Sequence, residues 1–140
     1  MTDTGVQEIV ARARTAQAEY EKNGSQERYD CAAQAAAWAI MEPVRNQRLA
    51  ELAVETTGLG NVSDKIIKNH RKTLGLMQDI QHAVTFGVMS DDPKTGITEI
   101  ARPKGVVGAI VPSTNPAATP ANNIINALKC GNSIVVAPSP

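Results

Sequence analysis

The sequence has little of the material that marks several protein classes. Aromatic residues fill 3% of its 140 positions, and only two cysteines are present. Two cysteines form no disulfide framework and are typical of a reducing compartment. The 14 basic and 14 acidic residues balance. This balance gives no electrostatic reason to expect nucleic acid or an anionic membrane surface as a partner.

Long apolar runs are also missing. No stretch is long enough to span a bilayer, and residues 1–14 lack the apolar segment of a secretory signal. We therefore expect a cytoplasmic location and no membrane partner. His82 has no nearby cluster of cysteine, histidine or carboxylate side chains, so no metal site is expected. The sequence also contains neither a P-loop nor a GxGxxG fingerprint that follows a strand.

The amino-terminal part of the chain is predicted to be helical. Apolar residues at helical spacing, or runs rich in alanine, predict three segments: 5–22, 26–42 and 43–57. Pro43 predicts a kink or a restart between the second and third segments, because proline is poorly tolerated inside a helix. Gly58 is expected to end the third segment. Cys31 and Trp38, in the second segment, are expected in the interior.

Another helix is predicted to follow, with Ser63 as its cap and Asp64 favourable in its first turn. His70 falls on its apolar side and is expected to be a core histidine. The predicted core-facing stripe of this helix is apolar at helical spacing: Ile66, Ile67, Leu74, Met77 and Ile80.

The character of the sequence changes after residue 81. Residues 82–88 and 97–102 are rich in β-prone side chains, and 90–96 between them contains Asp, Pro and Gly. This pattern predicts a β-hairpin.

Residues 103–140 are the most informative part of the chain. They read as an apolar strand at 105–111, a Pro-rich turn, a helix that ends before Gly131, and a second apolar strand at 132–138. Such a unit requires parallel pairing and a helical crossover. Both strands are apolar almost throughout, which predicts cover on both faces. Open α/β sheets bind cofactors at the carboxyl ends of their strands, which points to the Pro-rich turn.

The start of the crossover helix has two possible positions. Asn115 followed by Pro116 and Thr119 followed by Pro120 are both good cap-then-proline pairs. Lys129 is expected in the last turn, where a cation is favourable.

These residues resemble a known family. GVVGAIVPSTNP (105–116), then a helix and CGNSIVVAPSP (130–140), is similar to the start of the coenzyme-binding domain of the aldehyde dehydrogenase superfamily. The turn in that family most often reads Pro-Trp-Asn-Phe-Pro, whereas 112–116 reads Pro-Ser-Thr-Asn-Pro. The Ser-Thr-Asn version resembles the CoA-acylating branch, which includes acetaldehyde and sulfoacetaldehyde dehydrogenases. The preceding order of helices and hairpin is similar too, so the resemblance covers nearly the whole chain.

The resemblance implies a reaction. A cysteine thiolate attacks an aldehyde to give a thiohemiacetal, hydride passes to NAD or NADP, and coenzyme A takes the acyl group from the resulting thioester. In the family the nucleophilic cysteine and the general-base glutamate lie downstream of the part that resembles this chain. The resemblance therefore implies an amino-terminal fragment without the catalytic cysteine. Cys130 would lie at a helix carboxyl end, where the helix dipole disfavours a thiolate.

The resemblance also implies site residues. Alignment of the two prolines places Thr114 where the family has an oxyanion-binding asparagine, and Asn115 one position later, so both are candidate oxyanion donors. Turn stabilisation and helix capping are the alternative roles of these two residues. The family usually has lysine at Ala137, and its absence removes a donor to the ribose hydroxyls and leaves the choice between NAD and NADP open. The residues expected to bind the cofactor lie at the ends of the two strands: Val111, Pro112, Ser113, Thr114, Pro138 and Ser139.

The expected fold class is α/β, with a helical segment, a β-hairpin and the first βαβ unit of a Rossmann-like parallel sheet. Three units are predicted: 1–83 as the helical lead-in of the coenzyme-binding domain, 84–102 as a hairpin for oligomerisation, and 103–140 as the first βαβ of the NAD(P)-binding domain. A homo-oligomer, either a dimer or a tetramer, is the expected partner state, and a small-molecule aldehyde the expected substrate.

Three other functions remain open on the sequence. A non-acylating aldehyde dehydrogenase, such as a semialdehyde dehydrogenase, would give a carboxylic acid instead of an acyl-CoA. A helical protein-interaction module would account for the helices in 1–83 but has no use for two apolar strands. A different α/β enzyme could bind another nucleotide at a similar turn.

Overall fold

The computed structural model of the chain describes residues 3–139. Residues 1, 2 and 140, which bound the first and third predicted units, lie outside the described residues. The described part is an α/β structure whose elements follow the predicted order: α1 Asp3–Lys22, α2 Gln26–Met41, α3 Pro43–Thr57, α4 Val62–Ile80, β1 Gly87–Asp92, β2 Ile97–Ala101, β3 Val106–Ile110, α5 Ala118–Lys129 and β4 Ser133–Ala137.

Strands β3 and β4 pair in parallel, with α5 as the crossover. The register runs from Val106 opposite Ser133 to Ile110 opposite Ala137, and the Val111 N–H donates to the Ala137 carbonyl at 2.9 Å, one residue further. The Asn132 side chain accepts from the N–H groups of Lys104 (2.7 Å) and Gly105 (2.9 Å), which ties the start of β3 to the end of the crossover. The predicted βαβ unit is therefore confirmed.

The start of α5 differs from both predicted positions. The helix begins at Ala118, and its N-cap residue, Ala117, makes no side-chain capping bond. Neither Asn115 nor Thr119 caps it. Pro120 falls at the third helical position, where a missing N–H costs no intrahelical hydrogen bond, so it marks the first turn and not the first residue. The end is as predicted, with Gly131 at φ 69° just past the last turn.

Strands β1 and β2 form an antiparallel hairpin with a bulge between Val88 and Ser90. The first strand begins later than predicted, at Gly87, and residues 82–86 lie outside the pairing with β2. The Thr85 N–H donates to the Gln26 side chain at 2.8 Å, and the Thr85 hydroxyl donates to the Lys129 carbonyl at 2.5 Å. The Thr85 N–H is thus already used in a bond to α2, and it cannot also pair with a longer second strand.

The core lies between α2 and α5. Ala33 and Tyr29 are fully buried on α2, and Ile125 is fully buried on α5. Small alanine side chains let the two helix backbones approach closely, which suits a chain with few aromatic residues. The Tyr29 ring packs against Tyr20 and, edge to face, against Phe86 at 5.7 Å between centroids.

Polar contacts hold α1 and α2 to the βαβ unit. On α1, the Gln17 amide donates to the Gly131 carbonyl at 2.9 Å and accepts from the Ser133 N–H at 2.5 Å. On α2, Asp30 forms an ion pair with Lys129, whose side chain is only 5% exposed. These contacts fix both ends of the turn between α5 and β4.

The chain restarts as a new helix at Pro43, as the sequence predicts. Glu42 separates α2 from α3, and its carboxylate accepts from the N–H groups of Arg45 (2.9 Å) and Val44 (3.1 Å). These two backbone donors, that of Arg45 foremost, hold the pKa of Glu42 below its ordinary value of 4.5. The residue is therefore an ionised N-cap.

Helix α4 matches its predicted orientation only in part, since Met77 and Ile80 of the predicted stripe pack against the core. The buried side chains are Lys65, Asn69 and Thr73, whereas Ile67 is 63% exposed and Leu74 40% exposed. The reason is polar: the Asn69 amide donates to the Asn46 side chain of α3 at 3.0 Å. Apolar spacing shows that a helix has two faces, but this hydrogen bond decides which one turns inward. The cap also differs, since Asn61 replaces Ser63.

Several other predicted burials are wrong. Trp38 is 58% exposed, and His70 and Cys31 are also exposed. The described residues cover the two apolar strands incompletely, because Ile110 at the end of β3 is 89% exposed. Arg45, by contrast, lies on an exposed helix face. No helix within residues 3–139 is long and apolar enough to cross a membrane.

Candidate functional site

A cavity of about 510 Å³ opens at the carboxyl ends of β3 and β4. Parallel pairing brings the two strand ends side by side, so residues far apart in sequence meet there. Five of the six predicted cofactor-binding residues line this cavity: Val111, Pro112, Ser113, Pro138 and Ser139. We call it the strand-end cavity.

The wall opposite the strands contains two residues that the sequence analysis did not identify. Thr56 and Thr57, the last residues of α3, line the strand-end cavity. Their hydroxyls donate to carbonyls one turn earlier in the helix, at 2.8 Å for Thr56 and 2.5 Å for Thr57. The Thr56 oxygen can still accept from a ligand, whereas the Thr57 oxygen already accepts from the Leu59 N–H at 3.2 Å and keeps one lone pair. No local pattern could have found these residues, because only the packing of α3 brings them to the strands.

The strand-end cavity has a neutral lining. Its polar atoms come from serine and threonine hydroxyls and from the backbone, and its remaining side chains are valine and proline. Ala137, where the resembling family usually has lysine, adds no cation. A ligand there would be held by apolar contact and hydroxyl hydrogen bonds, as the ring and ribose parts of a nucleotide are.

Thr114 lies on the other side of the turn. It lines a second cavity, of about 370 Å³, together with Lys65 and Lys68 of α4. Its hydroxyl forms no hydrogen bond with any of residues 3–139. The structure therefore separates Thr114 from the other five predicted cofactor-binding residues. We call this second space the Thr114 cavity.

Asn115 joins neither cavity. Its side-chain carbonyl oxygen is buried and has no hydrogen-bond partner in the described part of the chain. The side chain does not cap α5 either, since Ala117 is the N-cap residue. Of the two candidate oxyanion donors, only Thr114 lines one of the two cavities.

Neither cysteine lines the strand-end cavity or the Thr114 cavity. Cys31 is exposed on α2, and Cys130 is exposed at the end of α5. Within residues 3–139, no three histidine, cysteine or acidic side chains are grouped so that they could hold a metal ion. The chemistry that the described residues offer is therefore binding and orientation.

Comparison with known proteins gives a consistent result. The profile of the aldehyde dehydrogenase family matches residues 1–140. The chain is 67% identical over 132 residues to an acylating sulfoacetaldehyde dehydrogenase of Cupriavidus necator, covering 94% of this chain and 27% of that protein. It is 41% identical over 134 residues to one of Bilophila wadsworthia, covering 96% of this chain and 29% of that protein. The chain thus spans less than a third of the length of these relatives.

Solved structures resemble the fold over nearly all of the chain. An acetylating aldehyde dehydrogenase of Geobacillus thermoglucosidasius superposes with a TM-score of 0.90 at 36% identity, covering 98% of this chain and 30% of that one. A Rhodopseudomonas palustris propionaldehyde dehydrogenase with bound propionyl-CoA gives 0.78 at 32% identity, covering 96% and 29%. An engineered glycolyl-CoA reductase with bound NADP+ gives 0.75 at 31% identity, covering 94% and 29%.

Proposed function

The chain belongs to the aldehyde dehydrogenase family, and on that premise we propose that it is the amino-terminal part of a CoA-acylating aldehyde dehydrogenase. The complete enzyme oxidises a small aldehyde, such as acetaldehyde or sulfoacetaldehyde, to an acyl-CoA. NAD or NADP accepts the hydride, and the nucleophilic cysteine comes from the part of the enzyme that follows this chain. We further propose a cytoplasmic location.

One observation carries this proposal: the turn at 112–116 separates two cavities. Val111, Pro112 and Ser113 face the strand-end cavity, whereas Thr114 faces the other side. An aldehyde dehydrogenase needs this division, because the cofactor and the aldehyde must approach the reacting carbon from different directions. The acylating relatives, among them solved structures with NADP+ and propionyl-CoA, support the same function.

The strand-end cavity fits a nicotinamide dinucleotide. Such a cofactor, when bound, accepts a hydride from the substrate. Ser113 and Ser139 offer hydroxyls from the two opposite strand ends, and Val111, only 4% exposed, closes the floor between them. These residues bind and orient the ligand at the carboxyl edge of the sheet, as in other open α/β proteins.

Thr114 has the role of an oxyanion donor in this proposal. Its hydroxyl has no partner among the described residues, so it is available to donate to a substrate carbonyl oxygen. That donation strengthens as negative charge develops on the oxygen. Asn115 has no contact with the substrate in this proposal, because it lines neither cavity.

The hairpin serves oligomerisation in the same proposal. Several apolar side chains of β1 and β2 are more than half exposed: Val88, Met89, Ile97 and Ile100. A two-stranded hairpin with open edges and an apolar face is poorly stable alone, so a second subunit is the expected cover. The unit 84–102 would then form a subunit interface, while 1–83 and 103–140 build the coenzyme-binding domain.

The first experiment tests the reaction. The complete enzyme is incubated with acetaldehyde or sulfoacetaldehyde and NAD+ or NADP+, with and without coenzyme A, and both reduced cofactor and acyl-CoA are measured. We expect reduction of the cofactor to depend on coenzyme A and to match acyl-CoA formation mole for mole. Carboxylic acid formed at the same rate without coenzyme A would assign the non-acylating reaction instead.

The second experiment tests the cofactor site. Hydrogen exchange of the complete enzyme is measured with and without NADH, and peptides that cover 111–116 and 137–139 are compared with the hairpin turn 93–96. We expect protection of the first two segments and no change in the third. Protection that is equal in all three segments, or absent from both strand ends, would contradict the assignment.

A further inference from the structure

Lys65 is the least explained charged residue of the chain. It is only 6% exposed, yet it forms no ion pair and its ammonium donates to no group within residues 3–139. The stem of Lys65 is packed against the protein, whereas its ammonium stays accessible and is neutralised by no group within residues 3–139. Lysine is rarely buried to this extent without a partner. An anion is therefore the partner that this charge can take.

The position of Lys65 indicates where that anion lies. Lys65 lines the Thr114 cavity, in which Lys68, one turn later on α4, also takes part. Asp64 is the acidic side chain of this cavity, and its carboxylate accepts from the Asn61 amide at 2.7 Å instead of pairing with either lysine. Two cations and the proposed oxyanion donor thus share one space of about 370 Å³.

The cavity continues along α4 into a basic groove. Lys68 and Asp64 line both the Thr114 cavity and a neighbouring cavity of about 680 Å³, which Arg71 and Lys72 also line. Neither Arg71 nor Lys72 pairs with an acidic group in the described residues, although Asp79 lies at the far end of this groove. Asn122 of α5 also lines the groove. Unpaired cations in a cleft attract anionic ligands and raise their association rate.

We propose that Lys65 and Lys68 bind the sulfonate of an anionic aldehyde whose carbonyl oxygen faces Thr114, and that Arg71 and Lys72 guide it inward. This inference rests on the proposed function and names its substrate class. In sulfoacetaldehyde one carbon separates the sulfur from the carbonyl carbon, so both groups must be recognised within one small cavity. A sulfonate offers three oxygens as acceptors to the compact, rotatable donors of two ammonium groups.

The main test uses a ratio of substrates. In the complete enzyme, kcat/KM is measured for sulfoacetaldehyde and for acetaldehyde, which has the same carbonyl and no charge. We expect Lys68→Ala to lower the ratio of the two values by about tenfold to a hundredfold, the usual effect of losing a hydrogen bond to a charged group. Lys68→Arg should restore part of the ratio. Arg48→Ala is the matched control, because Arg48 is an exposed, unpaired cation of α3 outside both cavities.

A stability measurement on Lys65 separates ligand binding from a structural role. If a ligand is the partner of Lys65, then Lys65→Met keeps the packed stem, so the midpoint of thermal unfolding of the ligand-free enzyme stays unchanged or rises, while the substrate ratio falls. If a carboxylate elsewhere in the enzyme pairs with Lys65, the same substitution lowers the midpoint. A lower midpoint with an unchanged ratio would overturn the proposal.

Two further outcomes are informative. An unchanged ratio with a raised KM for coenzyme A would assign the lysines to a coenzyme phosphate and would also overturn the proposal. Calorimetric titration with ethanesulfonate supplies a readout that needs no turnover, and we expect binding to the parent enzyme and none to Lys68→Ala. If ethanesulfonate binds in this way while no aldehyde is oxidised, the proposed function fails and the anion site stands.

Discussion

The ion pair between Asp30 and Lys129 allows a quantitative prediction because its two partners are unequally buried. The Lys129 side chain is 5% exposed and the Asp30 side chain 31% exposed. Asp30 also accepts from the Gln26 amide at 2.8 Å, so it keeps one partner if Lys129 is removed. Lys129 has no other salt-bridge partner than Asp30 in the described residues. Removal of either residue breaks the same ion pair, but the charged group that is left unpaired differs between the two variants.

Asp30→Ala leaves a buried ammonium without a counter-ion. Breaking a buried pair in this way costs about 3–5 kcal/mol, and the partial exposure of Asp30 lowers our expectation to about 2–4 kcal/mol. Lys129→Met leaves a carboxylate that is a third exposed and still bonded to Gln26, so we expect a cost of about 1 kcal/mol. The double variant should be more stable than Asp30→Ala alone, since it leaves no buried charge.

Hydrogen exchange is the suitable assay, because the pair connects α2 to α5 and its loss should loosen both helices locally. Peptides from 26–41 and 118–129 are followed in the complete enzyme at fixed pH. Asp30→Ala should accelerate exchange in both peptides more than Lys129→Met does. Arg45→Ala, which breaks the exposed pair with Glu42, is the control and should change neither peptide. Equal effects of the two core substitutions, or the reverse order, would refute the reasoning from unequal burial.

Four further predictions follow from single residues. Thr114→Ala should lower turnover by roughly 10²–10³ and Thr114→Ser should retain most of it, as expected for an oxyanion donor; unchanged steady-state rates would remove Thr114 from the mechanism. Gly131→Ala should cost about 2–5 kcal/mol in urea unfolding, because its Cβ would lie 2.4 Å from the Tyr29 ring at φ 69°, whereas Gly58→Ala, at φ 65° with open space, should cost about 1–2 kcal/mol. Tyr29→Phe removes a buried hydroxyl without a partner and should leave urea stability unchanged or raise it by about 1 kcal/mol; a clear loss would indicate an unseen partner. The pKa of Glu42 is lower in the folded state than in the unfolded state, so its carboxylate stabilises the fold above the unfolded-state pKa. That stabilisation is lost as the pH falls through the folded-state pKa. Glu42→Gln should therefore lower the thermal midpoint at pH 7, and parent and variant should have the same midpoint in acid.

The strand-end cavity could be predicted in large part from the sequence, and the Thr114 cavity could not. Val111 and Pro138 end two apolar strands joined by a short crossover, and that pattern alone implies that their ends meet. Thr56 and Thr57 reach the same cavity only because α3 packs there. Lys65 and Lys68 were missed because their spacing along α4 matches that of ordinary solvent-facing lysines.

The helix faces show the same limit. Ile67 and Leu74 have the spacing of a core stripe, yet they are exposed because the bond between Asn46 and Asn69 turns the other face of α4 inward. Trp38 is exposed although its size and spacing suggest a core position. The period of a pattern gives the type of element, but the neighbour against which it packs selects the face.

By itself, the sequence determined the order of the elements, the parallel βαβ unit, the restart at Pro43, the glycine stop of α5 and the family. These features depend on local backbone chemistry and on residues close together along the chain. The tertiary structure alone decided that Thr114 faces away from Ser113 and towards Lys65, and that this lysine has no anionic partner in the described chain. Such facts depend on contacts between distant segments, whose geometry arises only when α4 packs beside the turn that follows β3.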